Sequence, residues 1–346
     1  MNDLIKKETE FLKTYAGREL RIMEICGSHT AAITKSGLRA AVSEKIKLIS
    51  GPGCPVCVTP SAYIDRLIKL GCEPGKKVAV FGDMLRVPGS EKSLSQAKGE
   101  GCNVVMCYSP LDVVDMAEED PDTEYIFGAV GFETTVPAYA LLMEEAIEKG
   151  LKNVRLLTSI KTMPNIVRHL TKNGNIDGFL APGHVCAVTG SGYFKDIAEE
   201  SGVFFGIGGF KDYELAAALC GIVKNVTAGN KGVVNYYPSA VAENGDEKLL
   251  ALVKKYFKPC DAVVRGMGVV AGAGLCLRDE YAGFDAGSSD ITEDKKYNKA
   301  CRCGEVLTGS ITPAECPLFG KICTPYVPQG ACMVSPEGAC NSYYVR

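Results

Sequence analysis

The chain has no basic surplus. Thirty-eight lysines and arginines stand against 41 aspartates and glutamates, giving a net charge of −3 and a pI near 5.8. Nothing is left over to neutralise a phosphate backbone, which argues against a nucleic-acid partner. It also has little with which to enter a membrane: the uncharged stretch 266–277 is too short and too glycine-rich to span a bilayer. The first 19 residues, charged throughout, read as an amphipathic helix and lack the apolar core of a signal peptide. The expectation is a cytoplasmic protein with no membrane partner. Low-complexity segments are absent, and only three histidines occur, so each is worth locating. The charged run 290–296 reads as solvated surface.

Cysteine is what the chain has in excess: sixteen, six of them between Cys301 and Cys340. Cytosolic thiols stay reduced, so this density points to metal binding or redox chemistry rather than a disulfide framework. Cys316, Cys323, Cys332 and Cys340 are separated by six, eight and seven residues. Zinc sites usually use tight C-x2–4-C pairs, whereas an iron–sulfur cluster takes four thiolates from irregular loops and fits this spacing better. The intervening Thr324-Pro325, Pro328-Gln329-Gly330 and Ser335-Pro336-Glu337-Gly338 are loop-formers, which leaves the segment needing a bound centre to organise it. Zinc and unliganded thiols are the rival readings, and Cys301 or Cys303 can replace one of the four. Cys72, Cys102, Cys107, Cys220, Cys260 and Cys276 sit among apolar neighbours and read as core thiols.

From residue 20 onward, short apolar runs alternate with helical periodicity, the pattern of parallel sheets with crossover helices. Strands are expected at 20–25, 46–49, 78–81, 104–106, 125–130, 154–157, 178–180 and 203–205. The fold class is therefore α/β, with two small Rossmann-like open-sheet domains, 20–130 and 131–235. A third domain, 236–346 together with the N-terminal helix 1–19, is expected to carry the metal.

Four motifs fall at strand exits, where open parallel sheets place their functional crevices. Cys26-Gly27-Ser28-His29-Thr30 puts a thiol and an imidazole at a helix start, which favours thiolate; the alternative is a buried cysteine in a capping turn. Gly51-Pro52-Gly53-Cys54-Pro55-Val56-Cys57-Val58-Thr59-Pro60 is a C-x-x-C before a helix, the arrangement of a redox dithiol, with half of a zinc site as its rival. Gly131-Phe132-Glu133-Thr134-Thr135 ends a strand in a carboxylate that either caps a helix or moves a proton. Ala181-Pro182-Gly183-His184-Val185-Cys186 places a second histidine at an exit, structural or functional. The remaining histidine, His169, lies in a helical stretch and reads as surface.

Together, CGSHT at 26–30, GPGCPVCVTP at 51–60, GFETT at 131–135, PGHVCAVTG at 182–190 and the cysteine-rich 301–340 resemble the HypD family of [NiFe]-hydrogenase maturation factors. The motifs span nearly the whole chain in order; Ser28 stands where many members are expected to have threonine. The resemblance implies a scaffold, working with a small HypC-type chaperone, on which Fe(CN)2CO is assembled with cyanide from a thiocyanate-carrying HypE-type partner. It implies Cys26 as the thiolate that holds the iron and Cys54 and Cys57 as the redox pair. His29, Glu133 and His184 join Cys54 and Cys57 as the catalytic candidates, and Cys316, Cys323, Cys332 and Cys340 are implied as ligands of a [4Fe–4S] cluster. Such a chain is an assembly scaffold rather than a free-standing enzyme. One rival is an iron–sulfur thiol–disulfide reductase, which needs no third thiolate such as Cys26. Another is a zinc-stabilised interaction protein. A radical-SAM enzyme is disfavoured because no C-x3-C-x2-C triplet occurs.

Overall fold

A computed structural model describes residues 2–172, 176–291 and 298–344; positions 292–296 of the expected surface run lie outside the described residues. In chain order the strands are β1 (Leu20–Glu24), β2 (Ile46–Ser50), β3 (Lys76–Phe81), β4 (Val104–Cys107), β5 (Glu124–Gly131) and β6 (Val154–Lys161). They continue with β7 (Gly178–Pro182), β8 (Phe204–Gly208), β9 (Gly232–Asn235), β10 (Phe257–Val264) and β11 (Gly268–Leu277). All eight strands expected from the apolar runs are present.

The strands build two sheets. The first, ordered β2-β1-β7-β8-β9, is parallel throughout. The second, β10-β11-β6-β5-β3-β4, is parallel from β6 to β4 and carries an antiparallel β10–β11 hairpin on the outer side of β6. The fold is thus α/β with two parallel-dominated sheets, and each sheet draws on distant parts of the chain. The boundary expected at 130/131 falls at the end of β5, which pairs along its length with β6. Likewise β10 and β11, inside the expected 236–346 unit, complete the second sheet.

Burial on both faces explains the continuous apolar character of these strands. In β5, Tyr125, Phe127 and Ala129 pack under the helix Val136–Glu148, while Ile126 and Val130 face the opposite core with the helix Ser61–Gly71. Gly128 lets that second helix approach: a Cβ there would lie 3.2 Å from the Tyr63 hydroxyl and 3.3 Å from Leu67 Cδ1. The N-terminal helix Asn2–Thr14 packs on the helix Asp212–Thr227 of the first sheet, with Leu12 against the Leu215, Leu219 and Val223 cluster.

Residues 301–344 contain only short helical turns. Polar contacts tie them to both sheets' connections: Arg39 Nη1 donates to the Tyr343 hydroxyl at 3.0 Å, and Arg86 Nη2 donates to the Val334 carbonyl at 3.0 Å. The expected core thiols divide. Cys107 and Cys220 are buried, Cys260 and Cys276 are half-buried, and Cys72 is exposed and disulfide-bonded to Cys102. The apolar neighbours of Cys72 in sequence belong to the inner face of its helix, and the cysteine itself caps the outer end.

Candidate functional site

β1, β2 and β7 lie side by side and parallel, so CGSHT, GPGCPVC and PGHVC leave the sheet at the same end. GFETT arrives there from β5 of the second sheet. A cleft of about 260 Å³ results, lined among others by Cys26, Ser28, Gly53, Thr134, His184 and Glu337. Backbone hydrogen bonds stitch the first two loops together, Gly27 N–H to Gly53 O at 3.1 Å and Gly51 N–H to Glu24 O at 2.8 Å. A Cβ on Gly53 would overlap the Cys26 backbone, so only glycine permits this approach.

Cys26 is the N-cap of the helix Gly27–Lys35. Its thiol is nevertheless pushed up to about 11: burial dominates, the nearby Glu337 adds to it, and the His29 and Ser28 backbone N–H groups pull the other way without prevailing. Burial thus outweighs the thiolate preference expected from a helix start. Ser28 Oγ donates to Glu337, a carboxylate 309 positions away.

The two site histidines differ. His29 is fully buried, with Nε2 3.1 Å from the Gly208 carbonyl and 3.0 Å from that of Gly209. Two acceptors define Nε2–H, and burial lowers the pKa to about 4, so the ring is neutral. His184 is exposed on the cleft, and burial on its inner side lowers its pKa. Both rings stack on Phe210, at centroid distances of 4.6 Å and 3.7 Å. Glu133 is buried behind the cleft; its Oε1 accepts from the Met163 N–H and the Tyr193 hydroxyl, both at 2.7 Å, while Oε2 has no partner. Burial raises its pKa, which favours the proton-holding form. Cys186 lies close enough to feel both Glu133 and Cys26, and burial raises its pKa above the usual thiol range.

Cys54 opens the helical turn Pro55–Val58 and accepts the Cys57 N–H on Sγ at 3.4 Å. Both cysteines are buried. Burial pushes the Cys57 thiol well up, the adjacent Cys54 adds to this, and Arg265 offsets it in part. Here too the helix start fails to win. Cys57 Sγ sits 3.9 Å from the Ala331 carbonyl, and a Cβ on Gly338 would come within 3.1 Å of it. The dithiol therefore backs directly onto the cysteine-rich segment.

That segment gathers its six cysteines around one cavity of about 10 Å³, walled by Phe319, Gly330 and Met333. Cys316, Cys323 and Cys340 are buried free thiols, Cys301 is half-buried, and Cys332 is disulfide-bonded to Cys303. Among the described residues, no group of three histidines, cysteines or carboxylates is spaced to hold a metal ion. The donor chemistry nevertheless fits a thiolate-bound cluster. Every polar-capable side chain on the cavity is a cysteine, and burial followed by mutual repulsion raises the Cys323 and Cys340 thiols. A cationic centre relieves both effects.

Two residues of this region, Tyr193 and Phe210, lie outside every motif, and Glu337 and Cys186 lie in motifs that were read for other residues. Each reaches the site through tertiary contact, so spacing could not have revealed its role.

A family model described as HypD, the hydrogenase formation hypA family, matches residues 2–346. The hydrogenase maturation factor HypD of Rhizobium leguminosarum bv. viciae is 39% identical over 339 residues, covering 94% of this chain and 88% of the relative. A putative hydrogenase expression/formation protein of Methanocaldococcus jannaschii is 38% identical over 346 residues, 99% of this chain and 96% of the relative. HypD of Escherichia coli K12 is 36% identical over 351 residues, covering 98% and 92%. With strand-exit motifs closing on one cleft and the match running from end to end, the chain belongs to the HypD family of hydrogenase maturation factors.

Proposed function

We infer that the chain is the scaffold on which an iron with cyanide and CO ligands is built, held between Cys26 and a small HypC-type chaperone. The observation that carries this reading is the convergence of distant strand exits on a cleft with one thiol, Cys26, at its floor and a dithiol behind it. A soft thiolate suits low-spin iron carrying strong-field ligands. The iron enters as substrate and displaces the Cys26 proton. Glu133, with one oxygen unpartnered and its pKa raised, is placed to hold a proton near Cys186 and Tyr193.

Cyanide delivered as a thiocyanate by a HypE-type partner is released by two electrons. The thiols of Cys54 and Cys57 supply them: the S–CN bond breaks, a disulfide forms, and the two protons leave on the partner's thiol and on cyanide before it binds iron. Cys316, Cys323 and Cys340, with Cys332 or a neighbour from Cys301 and Cys303, would hold a [4Fe–4S] cluster. When bound, that cluster supplies electrons singly.

Anaerobic co-purification with a HypC-type partner, followed by infrared spectroscopy, tests the proposal. Iron-bound cyanide and CO bands are expected. A complex with its full iron–sulfur content and no such bands would instead mark the chain as a thiol–disulfide reductase.

A further inference from the structure

The second sheet carries a half-open, mostly apolar cavity of about 490 Å³ between β6, the β10–β11 hairpin and the turns at 279–290. It lies apart from the cysteine-lined cleft and is not needed for the function proposed above.

Lys161 and Cys260 line it from the two strands that flank β11. Lys161 of β6 pairs with Gly274 of β11, and Gly274 pairs with Cys260 of β10. The glycine leaves a gap between the two side chains: a Cβ there would meet Cys260 Sγ at 3.2 Å and Ala262 Cβ at 2.9 Å. Lys161 is only 4% exposed, and its Nζ donates one hydrogen bond, to Ser159 Oγ at 2.9 Å. An ammonium has three donors and a full charge, and burying it without a counter-charge is expensive.

Among the described residues, no carboxylate on the cavity pairs with Lys161. Asp261 accepts from the Gly272 N–H, Asp279 pairs with Lys258, and Asp285 accepts from Ser288. Cys260 stays protonated, its thiol pushed up to about 12 by burial and by the adjacent Cys276. The Lys161 amine responds as a buried cation does, its pKa lowered to about 8 by burial, which the neighbouring Cys260 offsets only in part.

We propose that this cavity binds a small organic monoanion, its carboxylate paired with Lys161 and Ser159 and its apolar body against Ala262 and Ile291. One buried cation matches one negative charge, and the cationic rim groups Lys258 and Arg278 are already paired with Asp279 and Glu280. That leaves inorganic phosphate and polyanions without sufficient positive charge. A pocket of this size, largely apolar with a few convergent polar groups, is a common form of small-ligand site.

The test uses the full chain and three probes: butyrate, benzoate and the neutral benzyl alcohol, titrated calorimetrically into wild type and Lys161→Met. The carboxylates are expected to lose at least about tenfold in affinity in the variant, while benzyl alcohol binds both proteins alike. Without ligand, Lys161→Met is expected to melt higher than wild type, because methionine fills the space without a buried charge. Carboxylate affinity unchanged by the substitution, no carboxylate binding to wild type at about 10 mM, or a lower melting temperature in the variant would each overturn the proposal.

Discussion

The cleft around Cys26 and the cavity around Cys323 both present thiols, one in the first and six in the second, yet they are built in opposite ways. The cleft rests on the ends of parallel strands, and backbone hydrogen bonds fix its loops before any ligand arrives. The cysteine-rich segment has no strand, and its six cysteines crowd a space of about 10 Å³ with thiols that raise one another's pKa. A site framed by a sheet suits cargo that comes and goes, because removing the cargo leaves the frame intact. A site framed by loops suits a resident centre, whose loss removes what organises them.

The largest effect separating the two regions is expected from Cys323→Ala. Loss of the resident centre should bleach the protein and lower its melting temperature by about 10 °C or more, measured by iron content and calorimetry. Iron kept in Cys323→Ala but lost in Cys301→Ala would shift the ligand set toward Cys301 and Cys303.

His29 probes the rigidity of the cleft through pH. Its folded pKa is lowered to about 4 from 6.5, so the unfolded chain takes up a proton over a range where the native one does not. The stability present above pH 6.5 is lost as pH falls toward 4, by up to about 3 kcal/mol. Urea denaturation of His29→Gln should show a shallower fall across that window. An unchanged slope would mean that the ring is protonated in place.

Gly53→Ala is the smaller test. A methyl group against the Cys26 backbone should cost about 2 kcal/mol and displace the GPG loop without affecting the cluster proposed for the C-terminal segment. Equal stability would show that the two loops separate easily.

The contrast also explains what could be read in advance. Parallel strands announce themselves as apolar runs because both faces are covered, and the Gly- and Pro-rich exits mark where they stop. β11 was hidden because its 268–277 run alternates glycine and alanine with few β-formers, and it gains its strand character by pairing with β10 and β6. Which strands share a sheet was not legible either: β1 pairs with β7 across more than 150 positions, and no local pattern encodes that choice. The helix-start argument for Cys26 weighed a local effect correctly but lacked the burial that outweighs it. Glu337 reaches Ser28 from the far end of the chain, so its presence at the cleft is a property of the fold alone.

The division between cargo and resident iron is tested most directly by infrared and iron analysis of Cys26→Ala, co-purified anaerobically with its small partner. The cyanide and CO bands should vanish while the iron of the C-terminal cysteines stays at its wild-type level. Bands persisting at full intensity, or iron lost from both sites together, would contradict the assignment of Cys26 as the thiolate that holds the cargo.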